Sequence, residues 1–85
     1  MKILEFDYLD GVAKFQLISS VAIFLASREE GCFRISLYQI DSFYIELYYH
    51  MVQGLYISLR SFEDVGGLNP YLEDIDISNI QLNVG

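Results

Sequence analysis

Two neighbouring runs of alternating residues constrain the fold of this chain more than any other feature. The first run, at 43–51, reads FYIELYYHM, and the second, at 55–62, reads LYISLRSF. In both runs apolar side chains alternate with polar side chains or tyrosines, which is the period of a β-strand that buries one face. The loop between them, Val52-Gln53-Gly54, ends in glycine, which takes the left-handed conformation that a three-residue hairpin requires there. The stretch therefore predicts a β-hairpin.

The register of this hairpin follows from placing apolar residues opposite one another. Leu47 then faces Leu59 on the buried side, and Glu46 faces Arg60 on the other side. A cross-strand ion pair of this kind contributes about 1 kcal/mol or less. The other facing pairs are Tyr48 with Ser58, His50 with Tyr56, Tyr49 with Ile57 and Met51 with Leu55.

Two more strands precede the hairpin. The run VAIFLASR at 21–28 is apolar on both sides at its start, which is typical of a covered or interior strand, and REEG at 28–31 turns the chain. In CFRISLYQI at 32–40, Phe33, Ile35 and Leu37 alternate with other side chains and are expected on the buried side. Together the runs predict an antiparallel meander of about four strands over 21–62.

The loop between the second and third strands can be placed in two ways. An Ile40-Asp41-Ser42 loop places Arg34 opposite Tyr48, and an Asp41-Ser42-Phe43 loop places Arg34 opposite His50. Both give the sheet a second surface that is polar and rich in tyrosine. Besides Glu46, the candidate binding residues on this surface are Arg34, Tyr38, Tyr44, Tyr48, His50, Tyr56 and Arg60.

The two ends of the chain carry weaker patterns. NPYLEDI, with Asn69 as cap and Pro70 in the first turn, predicts a short C-terminal helix over 69–76 that covers part of the sheet. The uncharged segment 77–85 is either a tail or an edge strand. Leu4, Phe6 and Tyr8 alternate as a strand would, and 12–18 fit a helix or a strand.

Length and composition favour one small folded domain over 1–85. The chain has 85 residues, of which 53% are hydrophobic and 20% charged, so it can bury a modest core and differs from disordered chains. The predicted fold class is α+β, a small antiparallel β-meander with a short C-terminal helix. A domain of this size is marginally stable alone, which favours self-association.

The charge balance restricts the partners. Twelve acidic and five basic residues give a net charge of −7, which disfavours binding to nucleic acid and to anionic membrane surfaces. The longest apolar run, 21–26, is far shorter than the roughly 20 residues that span a bilayer. Acidic residues stand where a signal peptide needs positive charge, and the lone Cys32 cannot form an intramolecular disulfide. We therefore expect a cytoplasmic protein.

One pair of side chains fits a catalytic arrangement. In the Ile40-Asp41-Ser42 register, Cys32 lies directly opposite His50, as a nucleophile and its base would. The pattern supplies no third group to orient the base, and an isolated cysteine on a strand usually acts as a small apolar residue. The sequence also contains no phosphate loop, nucleophile elbow or histidine cluster. We expect no enzymatic activity, no metal and no cofactor.

Three segments, QIDSFYIELYY, LYISLRSF and LNPYLEDIDIS, resemble a pattern found in small uncharacterised bacterial proteins of similar length. The resemblance spans roughly 33–78 and leaves the N-terminal segment unmatched. It implies a bacterial origin but no activity, so it assigns no functional residue.

These patterns favour a non-catalytic interaction or structural domain. The expected partner is a second copy of the chain or another protein, bound through the tyrosine-rich surface or an exposed sheet edge. The alternative is a small-ligand-binding protein or minor enzyme with a pocket on the tyrosine-rich surface, formed by Arg34, Tyr48, His50 and Arg60.

Overall fold

Four strands form one antiparallel sheet in the order β1-β2-β3-β4, which is also their order along the chain. The structure, a computed structural model, describes residues 1–72. The strands are β1 (Ile23–Glu30), β2 (Phe33–Ile40), β3 (Phe43–His50) and β4 (Leu55–Phe62). They confirm the predicted meander. The chain also forms the helices α1 (Ile3–Asp7) and α2 (Gly11–Val21) and the 3-10 helix η1 (Val65–Tyr71).

The sheet carries a hydrophobic cluster on each face. On one side, the α face, Phe6 of α1 and Ile18 of α2 are buried against β2 and β3. On the other side, the η face, Leu68 and Tyr71 of η1 are buried against one residue from each strand. The sheet residues of the α-face cluster are Ile40, Phe43, Ile45 and Leu47, and those of the η-face cluster are Ala26, Leu37, Tyr44 and Phe62.

The connection between β2 and β3 differs from both predicted loops. It is a two-residue turn, Asp41-Ser42, in which Asp41 has a φ of 50°. Arg34 therefore faces Tyr49 and neither of its predicted partners. The prediction was wrong because it assumed that only one face of the sheet is buried. Both faces are covered, so the apolar residues of β2 do not identify which side of β3 they share.

The hairpin of β3 and β4 has the predicted register only in its central part. Glu46 faces Arg60, and the predicted pairs of Leu47 with Leu59 and Tyr48 with Ser58 are also present. A bulge at Ile57 then shifts the register, so Tyr56 faces Tyr49 instead of His50. The turn is longer than predicted, because Met51 belongs to it, and Gly54 adopts a φ of 71°.

The first residues of the chain are helical, so the strand predicted from Leu4, Phe6 and Tyr8 is wrong. Phe6 of α1 is buried, whereas Leu4 of α1 and Tyr8, which follows the helix, are 70% and 92% exposed. For 12–18 the helical alternative is correct, because the side chain of Asp10 accepts a hydrogen bond from the Ala13 N–H at 2.8 Å and caps α2.

The position of β1 also differs from the expectation of a covered or interior strand. β1 is an edge strand, and its first residues, Ile23 and Phe24, are 62% and 56% exposed. An apolar start therefore did not indicate burial here, since single exposed apolar side chains are common on folded proteins.

The predicted C-terminal helix is present only as the 3-10 helix η1. η1 begins earlier than predicted because the side chain of Asp64, and not Asn69, caps it by accepting a hydrogen bond from the Gly66 N–H at 2.9 Å. Pro70 lies inside η1 and not in its first turn. The rest of the predicted helix, 73–76, and the predicted tail or edge strand, 77–85, lie outside the described residues. Within 1–72, no helix is long and apolar enough to cross a membrane.

Candidate functional site

The tyrosine-rich surface predicted from the sequence is divided between the two faces of the sheet. The predicted binding residues on the η face are Tyr44, Tyr48, His50 and Arg60. Those on the α face are Arg34, Tyr38 and Tyr56. The two-residue turn and the bulge cause this division, because each changes which side of a strand its neighbours share. The two arginines of the predicted ligand pocket consequently lie on opposite faces.

Glu46 lies at the centre of the η face and is 1% exposed. Its Oε1 accepts two hydrogen bonds from Arg60, at 2.7 Å from Nη2 and 3.0 Å from Nε. Its Oε2 accepts a hydrogen bond from the Tyr71 hydroxyl at 2.5 Å and a longer one from Arg28 Nη2 at 3.5 Å. One carboxylate of β3 is thus bonded to β1, β4 and η1.

The environment of Glu46 keeps the carboxyl ionised. Burial alone would raise the pKa of Glu46, but the hydrogen bonds from Tyr71 and Arg60 and the charge of Arg28 outweigh burial and hold the pKa below its ordinary value. Burial and the bond to Glu46 raise the pKa of Tyr71, so its hydroxyl stays protonated and donates. Because both oxygens of Glu46 are already bonded, the cluster fastens η1 to the sheet and offers no free acid or base.

The sequence predicts only part of this cluster. The hairpin register pairs Glu46 with Arg60, but it gives no sign of Arg28 or Tyr71. Arg28 lies on β1, two strands away from Glu46, and its guanidinium packs on the Tyr71 ring with 5.3 Å between guanidinium carbon and ring centroid. The position of η1 over the sheet brings these two residues together, and no local pattern encodes that position.

The predicted pair of Cys32 and His50 is not formed as a strand pair. Cys32 lies in the turn between β1 and β2, and Phe33 occupies the position opposite His50. His50 Nδ1 accepts a hydrogen bond from the Gln53 N–H at 3.1 Å, so this nitrogen serves the turn that follows β3. Cys32 and His50 line a groove of about 550 Å³ on the η face, together with Phe33 and Tyr48. The geometry supports a structural role for His50 as a turn cap.

Metal binding finds no support in the part of the chain that the structure describes. There, no group of three or more His, Cys, Asp or Glu side chains could hold a metal ion.

A second groove, of about 540 Å³, lies on the α face beside α2. It brings together Tyr38 and Tyr56, two of the predicted binding residues. The pKa of Tyr38 is raised mainly by burial and to a smaller extent by the nearby Tyr56. The Phe15 and Tyr56 rings meet with centroids 5.2 Å apart. The groove has only uncharged lining residues, which are Phe15, Ile18, Ser19, Ala22, Tyr38, Leu47 and Tyr56.

The outward side of α2 continues this uncharged groove. Val12 is 69% and Phe15 37% exposed, and Lys14 is the one charged residue among the eleven of α2. Beside the helix, Tyr56 packs on Phe15 and is 53% exposed. The α2 surface consists of Gly11, Val12, Phe15, Gln16, Ser19, Ser20 and Tyr56. The sequence did not indicate it, because 12–18 could not be assigned to a helix.

No protein-family model, curated protein or solved structure matches this chain. The basis for a functional proposal is therefore the geometry of the two faces of the sheet.

Proposed function

We propose that this chain is a non-catalytic interaction domain that associates with a second copy of itself through the α2 surface. The observation that carries the proposal is the exposure of Val12 (69%) and Tyr56 (53%) on either side of Phe15, where the two adjoining grooves have only uncharged lining residues. A contiguous apolar surface on a small domain marks a contact site more often than a free surface.

The distribution of charge supports a second copy as the partner. Each copy carries a net charge of −7, so two copies repel, and the repulsion is smallest when they meet where acidic residues are absent. α2 has no acidic residue, and neither does the adjacent part of β4 from Leu55 to Leu59. A strongly basic partner would instead be attracted to the acidic parts of the chain, such as Glu29 and Glu30 at the end of β1.

The state of the polar clusters supports a non-catalytic role. Glu46 is fully engaged in fastening η1, and His50 Nδ1 is engaged in its turn. The exposed Cys32 is the one cysteine of the sequence and suits a reducing compartment, in keeping with a cytoplasmic location.

Light scattering after size exclusion tests this function. At about 100 μM, a protein that associates with a dissociation constant in the micromolar range gives twice the chain mass of 9.8 kDa. Val12→Glu places a charge in the centre of the α2 surface, where burial is costly, and is expected to weaken the dimer by at least about tenfold.

Val65→Glu provides the matched control for this experiment. Val65 is 54% exposed on η1, on the other face of the sheet, and its substitution makes the same change in net charge. The control is expected to keep the dimer mass. A wild-type mass of 9.8 kDa at this concentration, or equal weakening by both substitutions, contradicts self-association through the α2 surface.

A further inference from the structure

We infer that the η face carries a binding site for a segment of the same chain, residues 77–85. The site is the groove of about 550 Å³ beside Cys32, which we call the η groove. Its Phe33 ring meets the rings of Tyr48 and His50, with centroids 6.1 Å and 5.2 Å apart. Among the seven residues that line it, one is acidic and none is a lysine or an arginine. The η groove therefore suits an apolar, uncharged occupant.

The helix η1 covers a different part of the η face. It packs on the cluster of Ala26, Leu37, Tyr44 and Phe62. The residues that line the η groove come only from β1, β2, the turn between them and β3. The volume of the groove lies within the range of about 300–1,000 Å³ that is usual for ligand sites. Its occupant therefore comes either from beyond residues 1–72 or from another molecule.

The described part of the chain ends beside this groove. At the end of η1, the Tyr71 ring lies on the guanidinium of Arg28, at 5.3 Å from its carbon. Arg28 pairs with Ile35 across β1 and β2, and Ile35 lines the η groove. From there the groove continues to Phe33, two residues or about 7 Å along β2. Residues 73–76 span up to about 13 Å when extended, so the residues that follow them reach the groove.

The sequence of segment 77–85, ISNIQLNVG, matches the chemistry of the η groove. It contains no charged side chain, although three of the four residues in 73–76 are acidic. Near its end, aliphatic residues alternate with amides, in the order Ile80, Gln81, Leu82, Asn83, Val84. This alternation is typical of an extended chain with one apolar side, which can enter a groove while the amides stay in water.

The short connection to the groove favours this segment over a separate molecule. Four residues join η1 and Leu72 to segment 77–85, and a short tether keeps a segment near its site at an effective concentration of about 1 mM. Even a weak contact is then mostly formed. A peptide from another molecule has to compete with it.

NMR contacts between methyl groups and aromatic rings test the inference in the whole chain. We expect nuclear Overhauser contacts from the rings of Phe33 and Tyr48 to the methyl groups of Leu82 or its aliphatic neighbours. In a mixture of isotope-labelled and unlabelled copies, filtered spectra should show none of these contacts between copies. The inference is overturned if the contacts are missing, if they occur only between copies, or if Leu82 contacts the outer edge of β1 or α2 instead.

The reactivity of Cys32 gives a second measurement, because Cys32 lines the η groove and is the one cysteine of the sequence. Leu82→Asp places a charge on the apolar side of the segment and is expected to release it. Cys32 should then react about tenfold faster with a bulky maleimide than in the wild-type protein.

Asn83→Asp is the matched control, since it makes the same change in charge on the polar side of the alternation. It is expected to keep the wild-type rate. Equal rates in all three proteins, or equal acceleration by both substitutions, contradict binding of the segment in the η groove. The result is independent of the proposed self-association, because the α2 surface lies on the other side of the sheet. A monomer mass for the wild-type protein removes the proposed function and leaves this inference in place.

Discussion

At the scale of single residues, Glu46 is the position on which the η face depends most. A buried carboxylate usually loses more by leaving water than it gains from one partner, unless all its oxygens are bonded. Here Arg60 and Tyr71 each bond one oxygen, and Arg28 approaches from the opposite edge of the sheet. The guanidinium of Arg28 also packs on the Tyr71 ring. Arg28, Arg60 and Tyr71 therefore stabilise the charge of Glu46 together, and the contact between Arg28 and Tyr71 adds to the stability of the cluster.

Replacing this carboxylate is expected to change both the stability and its dependence on pH. Glu46→Gln removes the charge and leaves two arginines without it, at a cost of about 1–3 kcal/mol at neutral pH, toward the low end because the Arg60 side chain is 54% exposed. The folded-state pKa of Glu46 is lowered from 4.5, so its contribution is present above that pH and is lost as the pH falls through the lower folded-state value.

Urea unfolding between about pH 2 and pH 7 measures this effect. The free energy of unfolding of the wild-type protein should fall more steeply below pH 4.5 than that of Glu46→Gln, so the two curves converge in acid. Glu63→Gln, at an exposed carboxyl, serves as the control and should run parallel to the wild type. A gap between wild type and Glu46→Gln that stays constant over the whole range contradicts the assigned role.

At the scale of elements, η1 is positioned by one close approach as well as by its hydrogen bonds. Gly67 lies against the Phe62 ring, and a Cβ built on Gly67 would lie 2.4 Å from Cε2 of that ring. Phe62 in turn packs on Tyr44, with 5.4 Å between the ring centroids, so the ring cannot retreat without disturbing the buried sheet. Glycine is therefore required for η1 to lie this near the sheet.

Gly67→Ala is accordingly expected to lower the free energy of unfolding by about 1–3 kcal/mol, the usual cost of forcing an added methyl group into a filled space. Gly66→Ala is the matched control, because the nearest atom to its Cβ is an oxygen of the exposed Asp64 at 3.4 Å. Chemical denaturation of the two variants compares them directly. If both substitutions have the same small effect, η1 does not pack on the sheet through Gly67.

The elements show which parts of the fold a sequence can specify. Three alternating runs and one continuous apolar run predicted the four strands and their order along the chain, because both patterns are local properties. The pairing of Glu46 with Arg60 was also predictable, since Leu47 must meet Leu59 near it. The two-residue turn at Asp41-Ser42 was not predictable. β2 and β3 are apolar on both sides, so a pattern that assumes one buried face does not determine which of their residues share a face.

The candidate site was less predictable than the fold for the same reason. A one-residue change of register moves every following side chain to the other face, so the predicted tyrosine surface became two surfaces. Tyr38 and Tyr56 share the α2 groove, while Tyr44 is buried beneath η1. The contribution of α2 could not be foreseen, because Val12 and Phe15 lie in a segment that fitted a helix and a strand equally.

At the scale of the whole molecule, the two edges of the sheet favour association through a face. Both edge strands carry a bulge, at Leu25 in β1 and at Ile57 in β4. Bulges interrupt the row of backbone groups that another strand would need, and β1 also carries Arg28, Glu29 and Glu30 near its end. The expected sheet-edge dimer is thus less well supported than contact through the α2 surface.

If two acidic copies associate through an apolar surface, their dissociation constant should fall as salt is added. Treated as point charges about two radii of gyration apart, each radius being 12.9 Å, two charges of −7 repel by about 8 kcal/mol in water without salt. Screening reduces this repulsion to about 3 kcal/mol at about 0.01 M salt and to about 0.3 kcal/mol at about 0.15 M. The difference corresponds to a dissociation constant about a hundredfold lower at the higher salt concentration.

Analytical ultracentrifugation at these two salt concentrations measures the dissociation constant directly. Val65→Glu should show a somewhat steeper dependence than the wild type, because each copy then carries one more negative charge away from the contact. A contact made by opposite charges would behave in the opposite way, since salt would weaken the attraction that holds it together. A dissociation constant that rises with salt therefore contradicts an acid-free apolar interface and places the contact at the charged edge of β1.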